Sequence, residues 1–175
     1  MRKLLLVIDM QTDFVDGALG SAEAVSIIPN VLREIAKYDK SDVIATRDTH
    51  PEEYMSTREG RHLPVPHCIK STSGWEIHPK IAPALEGCLV IDKPTFGSTE
   101  LCDRIVKLAK NEEIEITLVG LCTDICVVSN AMLIKAALPE IEVSVVAILL
   151  YASLALSPTK NLSSSSSSQE NTCHR

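Results

Sequence analysis

The 175 residues make one domain, long enough to bury roughly 70% of the surface of its unfolded chain without disulfide staples. With 45% hydrophobic and 23% charged residues the composition is that of a globular protein, and a formal net charge of −6 with no stripe of Lys and Arg argues against nucleic acid and anionic membranes as partners. The six cysteines, irregularly placed at 68, 88, 102, 122, 126 and 173 without secretory context, read as reduced thiols of a cytoplasmic protein.

The chain begins with Arg2 and Lys3 before an apolar run at 4–8, a superficial likeness to a signal peptide. Asp9 ends that run after five residues, too few for the apolar stretch of a leader, and no other run approaches the length of a membrane span. The run is therefore a first strand with a carboxylate at its end. Ile28, Val31, Leu32 and Ile35 then share one face of a helix whose first turn accommodates Pro29. A second strand at 43–46 is followed by Asp48 and His50. Residues 51–79 break the rhythm: a proline-rich connection holding His62, His67, His78 and the single tryptophan, of a length that marks either a functional loop or a disordered one. A third strand at 88–91 runs to Lys93, and Leu101, Ile105 and Leu108 define the next helix. A fourth strand at 114–119 leads into the turn from Cys122 to Cys126, and a fifth apolar run covers 141–147.

These runs are continuous rather than alternating, as expected of parallel strands covered on both faces. Strands separated by helices predict an α/β fold: a doubly wound, mostly parallel sheet with helices on both faces, in three layers α/β/α. Ligands of such sheets sit beyond the carboxyl ends of the strands, where Asp9, Asp48, His50, Lys93, Cys122 and Cys126 would gather on one rim. A single folded domain is expected over 1–156. The tail, 157–175, contains a serine run at 163–168 and is expected to be disordered or the product of a frameshift near residue 147, so that the C-terminal end of the fold is atypical.

An isolated cysteine is most often a small buried hydrophobe. Cys126, however, lies after a strand and turn near the start of a helix, where the helix dipole favours thiolate, and Asp9 and Lys93 at two other strand ends can act as base and cation. Asp48-x-His50 places two ligand side chains on one side of an extended segment, and a third imidazole would complete a facial set suited to zinc, iron or manganese. His67, His62 and His78 compete for that third place, with Cys68 a softer alternative.

The stretches LLLVIDMQTDFVDGAL, IATRDTHP, LPVPHC, DKPTFGSTEL and GLCTDICVVSNA, in this order over about residues 3–146, resemble the isochorismatase-like cysteine hydrolases, in particular their metal-containing nicotinamidase (pyrazinamidase) branch. The resemblance implies a catalytic triad of Asp9, Lys93 and Cys126, a cis peptide at Leu121-Cys122, and an oxyanion hole built from the backbone N–H groups of Cys122 and Cys126. It also implies a divalent metal, zinc or else manganese or iron, on Asp48, His50 and His67, with Phe14 against the substrate ring. The activity implied is hydrolysis of nicotinamide, pyrazinamide or a similar small carboxamide to acid and ammonia through a thioester, a step of NAD salvage, in a protein that can be a homo-oligomer. The alternatives are a related hydrolase for another amide or carbamoyl compound, or a binding protein impaired by its altered C-terminus. Three positions depart from the branch: Pro64 stands where nicotinamidases commonly carry a tryptophan, Ile125 where they often carry an aromatic, and the chain after residue 147 reads differently. Ring stacking would rest on Phe14 alone, or on Trp75 if its loop folds back.

Overall fold

The computed structural model describes residues 1–146; the expected tail, and the end of the domain as drawn to residue 156, lie outside the described residues. Five parallel strands form one sheet in the order β3-β2-β1-β4-β5. They are β1 (Arg2–Ile8), β2 (Val43–Asp48), β3 (Leu89–Lys93), β4 (Ile114–Gly120) and β5 (Glu142–Val145). Between β1 and β2 lie α1 (Thr12–Val15), α2 (Ala22–Ser26) and α3 (Ile28–Ile35). The β2–β3 connection holds α4 (Arg58–His62) and α5 (Ala82–Leu85), while α6 (Thr99–Ala109) and α7 (Val128–Ala137) precede β4 and β5.

Each apolar run splits its side chains between two cores. Leu4, Leu6 and Ile8 of β1 face a cluster with Ile116, Leu118, Leu101, Ile105 and Ile134, which seats α6 and α7. Leu5 and Val7 face the other cluster with Ile28, Val31, Ile35 and Leu85, which seats α3 and α5. Burying an aliphatic side chain of this size favours folding by about 1.5–3 kcal/mol, so a central strand apolar at consecutive positions holds both layers together. Local signals start the helices: Ser21 accepts from the Ala24 N–H at 3.0 Å, Ser98 from Leu101 at 3.1 Å, and a proline occupies the first turn of α3 and of α5.

Two strands run further than their apolar residues indicate. β2 continues to Asp48 and β3 to Lys93, which pair in register, because the parallel ladder satisfies their backbones regardless of side-chain polarity. The chain leaves β1 on one side for β2 and β3, then returns to the other side for β4. The β1/β4 boundary is therefore the switch point, with Asp9 just past one strand and the Cys122–Cys126 turn just past the other. Gly120 ends β4 at φ +125°, where a Cβ would stand 2.0 Å from the Ile8 carbonyl oxygen, so the two strands close only over glycine.

The long β2–β3 connection is ordered. Besides α4 it holds a 3-10 turn at Tyr54–Ser56 and a parallel bridge between His50 and Ile69. Asp13 Oδ2 accepts the Cys68 N–H at 2.8 Å and fixes that residue at φ +47° beside His67.

Candidate active site

Asp9, wholly buried, takes φ +48° immediately after β1, a left-handed conformation that Asp tolerates better than most residues. Its Oδ1 accepts the Thr46 hydroxyl at 2.6 Å. Its Oδ2 forms a buried ion pair with Lys93 Nζ at 2.7 Å. Lys93 Nζ also reaches Asp48 Oδ1 at 3.2 Å, the Thr95 carbonyl at 3.1 Å and Cys126 Sγ at 3.5 Å. A single buried ammonium thus joins Asp9, Cys126 and Asp48. Burial alone would lower the Lys93 pKa; Asp9, Cys126 and Asp48 reverse the sign and hold it above the usual lysine value, so the side chain is charged. Burial likewise raises the Asp9 pKa despite the opposing Lys93.

Cys126 sits within a π-helical turn, Thr123–Val127, ahead of α7 rather than in the first turn of an α-helix. The thiolate expected from the helix dipole is not favoured here: burial, followed by the charge of Asp9, pushes the thiol well above its ordinary value despite Lys93. The resting sulfur is a thiol that needs a base. Asn130, 1% exposed, braces the turn: its Nδ2 donates to the Cys126 carbonyl at 2.8 Å and the Phe96 carbonyl at 3.2 Å, and its Oδ1 accepts the Ser98 N–H at 2.9 Å. The peptide Leu121-Cys122 is cis. All five described cysteines, Cys122 and Cys126 among them, are free.

Beside this cluster, donor atoms of Asp48, His50 and His67 lie within 4.8 Å of one another and all three residues are buried. His50 Nε2 is 3.0 Å from Asp48 Oδ2 in a geometry that makes no hydrogen bond, which leaves this buried nitrogen without a partner. His67 Nδ1 is bound to the Val65 carbonyl at 2.8 Å, directing Nε2 towards Asp48 Oδ2 at 4.0 Å. Burial tends to raise the Asp48 pKa, but His50 and the charge of Lys93 outweigh it, so the carboxyl is held below its usual value. An ionised carboxylate, an orphaned imidazole nitrogen and a second oriented imidazole match the donor set of a divalent metal.

The competing ligands point elsewhere. His62 is exposed and its Nδ1 lies against the Arg58 carbonyl, while His78 pairs with Asp16 at 3.2 Å. The Cys68 thiol is pushed far up by burial and the surrounding carboxylates, which disfavours the thiolate a metal requires. Phe14, 6% exposed, approaches His67 with ring centroids 5.6 Å apart. Trp75 does not turn towards the rim: its indole N–H donates to Thr49 Oγ1 at 2.8 Å and Arg47 covers its face at 3.5 Å.

Residues not singled out by the sequence also support the site. Gln11, fully buried, grips the Asp48 backbone from both sides, accepting its N–H at 2.7 Å and donating to its carbonyl at 2.8 Å. Tyr54 packs its ring 4.7 Å from His50 and 5.0 Å from His67, and its hydroxyl donates to the Leu63 carbonyl at 2.9 Å. Burial, with Glu59 and Asp48 nearby, pushes the Tyr54 hydroxyl up to about 12. Glu59 Oε1 lies 3.8 Å from His50 Nε2. For Tyr54, four residues past His50, an aromatic beside Asp48-x-His50 is the available signal, but it does not separate a support from ordinary core; Gln11 carries no such signal.

Comparison with known proteins places these features in a wider group. The isochorismatase domain matches residues 3–147. The uncharacterized isochorismatase family protein PncA of Bacillus subtilis is 30% identical, the match covering 75% of this chain and 78% of that one. The nicotinamidase/pyrazinamidase of Mycobacterium tuberculosis is 29% identical, over 74% and 76% of the two chains. Among solved structures, N-carbamoylsarcosine amidase from Thermoplasma acidophilum superimposes with a TM-score of 0.70 at 26% identity, covering 88% of this chain and 86% of its own. The pyrazinamidase of Pyrococcus horikoshii in complex with zinc gives 0.60 at 27% identity, over 83% and 99%.

Proposed function

The chain belongs to the isochorismatase family, and from that membership we propose that it is a cysteine amidohydrolase that converts nicotinamide, pyrazinamide or a similar small carboxamide to the acid and ammonia. The observation that carries this is the bridging of Asp9 Oδ2, Cys126 Sγ and Asp48 Oδ1 by one buried, charged Lys93.

Asp9 Oδ2 takes the proton of the Cys126 thiol as the sulfur attacks the carboxamide carbon. The C=O π bond opens onto oxygen, and the N–H groups of Cys122 and Cys126 stabilise the oxyanion. As the C–N bond breaks, Asp9 passes its proton to the departing nitrogen, releasing ammonia and leaving a thioester on Cys126. Asp9 then removes a proton from water, the resulting hydroxide attacks the thioester carbon, and the acid departs as the sulfur recovers its proton. Lys93 stays protonated throughout and limits the cost of negative charge on Asp9 and on the sulfur. Asp48, His50 and His67 would hold a divalent metal, zinc being the identity favoured by the Pyrococcus horikoshii relative; such an ion supplies a fixed Lewis-acidic point for orienting the substrate. Phe14, whose ring lies beside His67, would stand against the substrate ring.

A second reading, a hydrolase for a carbamoyl compound, is favoured by Pro64 in place of the expected tryptophan and by the likeness to N-carbamoylsarcosine amidase. Ammonia release measured over nicotinamide, pyrazinamide and N-carbamoyl amino acids separates the two. Cys126→Ala is expected to abolish turnover of whichever substrate is used, with at least about a 10³-fold loss; undiminished turnover in that variant rules out the thioester route.

A further inference from the structure

We propose that Asn130 is a positioning residue for the reaction put forward above: its side chain ties the turn that carries Cys126 to the segment that follows Lys93, and so fixes the separation of sulfur and ammonium. The proposal rests on Cys126 as the nucleophile of that reaction and adds a residue outside the expected set.

A polar side chain is unusual at this position. α7 buries Asn130 and Ile134, one turn apart, on a face where one-sided packing calls for apolar residues. An amide carried into such a layer costs free energy unless its donors and its acceptor are matched. Here they are. Nδ2 serves the Cys126 carbonyl at 2.8 Å and the Phe96 carbonyl at 3.2 Å, and Oδ1 accepts the Ser98 N–H at 2.9 Å. Two of these partners lie 34 and 32 residues earlier in the chain, so the amide serves tertiary placement and not its own helix.

The contacts close a ring. From the Cys126 carbonyl the path runs through Asn130 to the Phe96 carbonyl, then one peptide back to the Thr95 carbonyl, which accepts Lys93 Nζ at 3.1 Å, and from Nζ to Cys126 Sγ at 3.5 Å. The distance between ammonium and sulfur therefore changes only if another link stretches or breaks. Asp9 and Asp48 hold the ammonium from its other side, at 2.7 and 3.2 Å, so loosening the ring moves the sulfur more than the lysine.

Local structure brings the segment within reach of Asn130. At Gly97 a Cβ would stand 2.5 Å from Leu133 Cδ1 and 3.5 Å from Ser129 Cβ, so the backbone lies directly on α7. The Ser98 hydroxyl also caps α6, which joins the clamp to a helix seated in the core. What depends on the ring is the charge that the sulfur meets. Burial and the charge of Asp9 oppose the thiolate, Lys93 favours it, and that influence weakens with distance.

The test compares full-length wild type with Asn130→Leu, which keeps the volume and removes all three hydrogen bonds, and with Asn130→Thr, whose hydroxyl can still donate to the carbonyl four residues earlier. It reads kcat and KM for the amide that wild type turns over, and the rate at which iodoacetamide alkylates Cys126, followed by peptide mass. Expected in Asn130→Leu are a kcat lower by on the order of 10²-fold, the scale of a misplaced reacting group, a KM within about 3-fold of wild type, and alkylation of Cys126 slowed by about 10-fold or more. Asn130→Thr should lie between the two in both rates. Ser21→Ala, which removes the cap of α2 away from this ring, is the control for lost stability and should lower the melting temperature with kcat unchanged. Wild-type kcat and alkylation in Asn130→Leu overturn the proposal, as does a loss that Ser21→Ala reproduces; should Asn130→Leu fail to fold, wild-type rates in Asn130→Thr overturn it. If wild type releases ammonia from none of the amides, the substrate reading fails, while the alkylation rates still decide the role of Asn130.

Discussion

At the scale of single residues, the environment of Asp9 and Cys126 governs the proton transfer of the proposed reaction. Burial raises both pKa values, so the pair rests with the proton on sulfur, and the carboxylate must be ionised to accept it. kcat/KM should therefore fall on acidification through a pH above the ordinary aspartate range, because a raised Asp9 is protonated sooner as pH drops. The stability linkage has the opposite sense: a carboxyl raised by folding contributes most where it is protonated, and that contribution is lost as pH rises through its folded value. A pH–rate profile of wild type checks the first statement, and an acid limb at the ordinary aspartate value would contradict it. Lys93 is exposed to a different test. Replacing it with Met leaves the buried carboxylates of Asp9 and Asp48 without their shared cation, and is expected to cost about 3–5 kcal/mol in urea denaturation as well as activity.

At the scale of elements, the placement of the proposed nucleophile depends on how β4 ends. Gly120 lets the chain turn over the Ile8 carbonyl, and the π-helical turn then aims Cys126 back towards Asp9 and Lys93. Gly120→Ala puts a methyl group against backbone in a left-handed conformation; the expected loss is about 2–4 kcal/mol by chemical denaturation, and no loss would show that β1 and β4 can separate there without cost. The β2–β3 connection illustrates how far local pattern reaches. Its prolines and histidines marked it as unusual, but α4 and the 3-10 turn before it have no apolar periodicity to announce them, being single turns fixed by Thr57 and Tyr54 contacts. Tyr54 and Glu59 were unreadable for that reason. Tyr54→Leu should weaken metal binding about 10-fold or more while Tyr54→Phe, which keeps the ring against both imidazoles, retains most of it; equal affinities in wild type and Tyr54→Leu would show the ring to be inert packing.

At the scale of the whole molecule, the proposed metal and the proposed triad form one electrostatic unit, since Lys93 touches Asp48 as well as Asp9 and Cys126. A ligand that binds only the folded state stabilises it by about 2.7 kcal/mol at a hundred times its Kd, so chelation should lower the melting temperature and readdition of metal restore it. An unchanged melting temperature after verified stripping would contradict a metal site of useful affinity. The three-layer arrangement makes such coupling possible: the α3 side and the α6/α7 side clamp the sheet from both faces and leave the rim beyond the carboxyl ends for polar groups.

The amino-acid order by itself determined the strands and the helices with a clear apolar face, because burial on both sides of a parallel sheet writes continuous apolar runs and one-sided packing writes a helical period. It also placed Asp9, Asp48, Lys93 and Cys126 at strand ends, since a polar residue closing an apolar run needs no knowledge of distant neighbours. Only the tertiary structure decided that one ammonium joins three of them, that His67 rather than His62 or His78 comes to His50, and that Trp75 lies under Arg47. Those are distances between segments far apart along the chain, set by sheet order and register rather than by any local preference. The protonation of Cys126 belongs with them, because solvent exclusion and the surrounding charges exist only once the layers close.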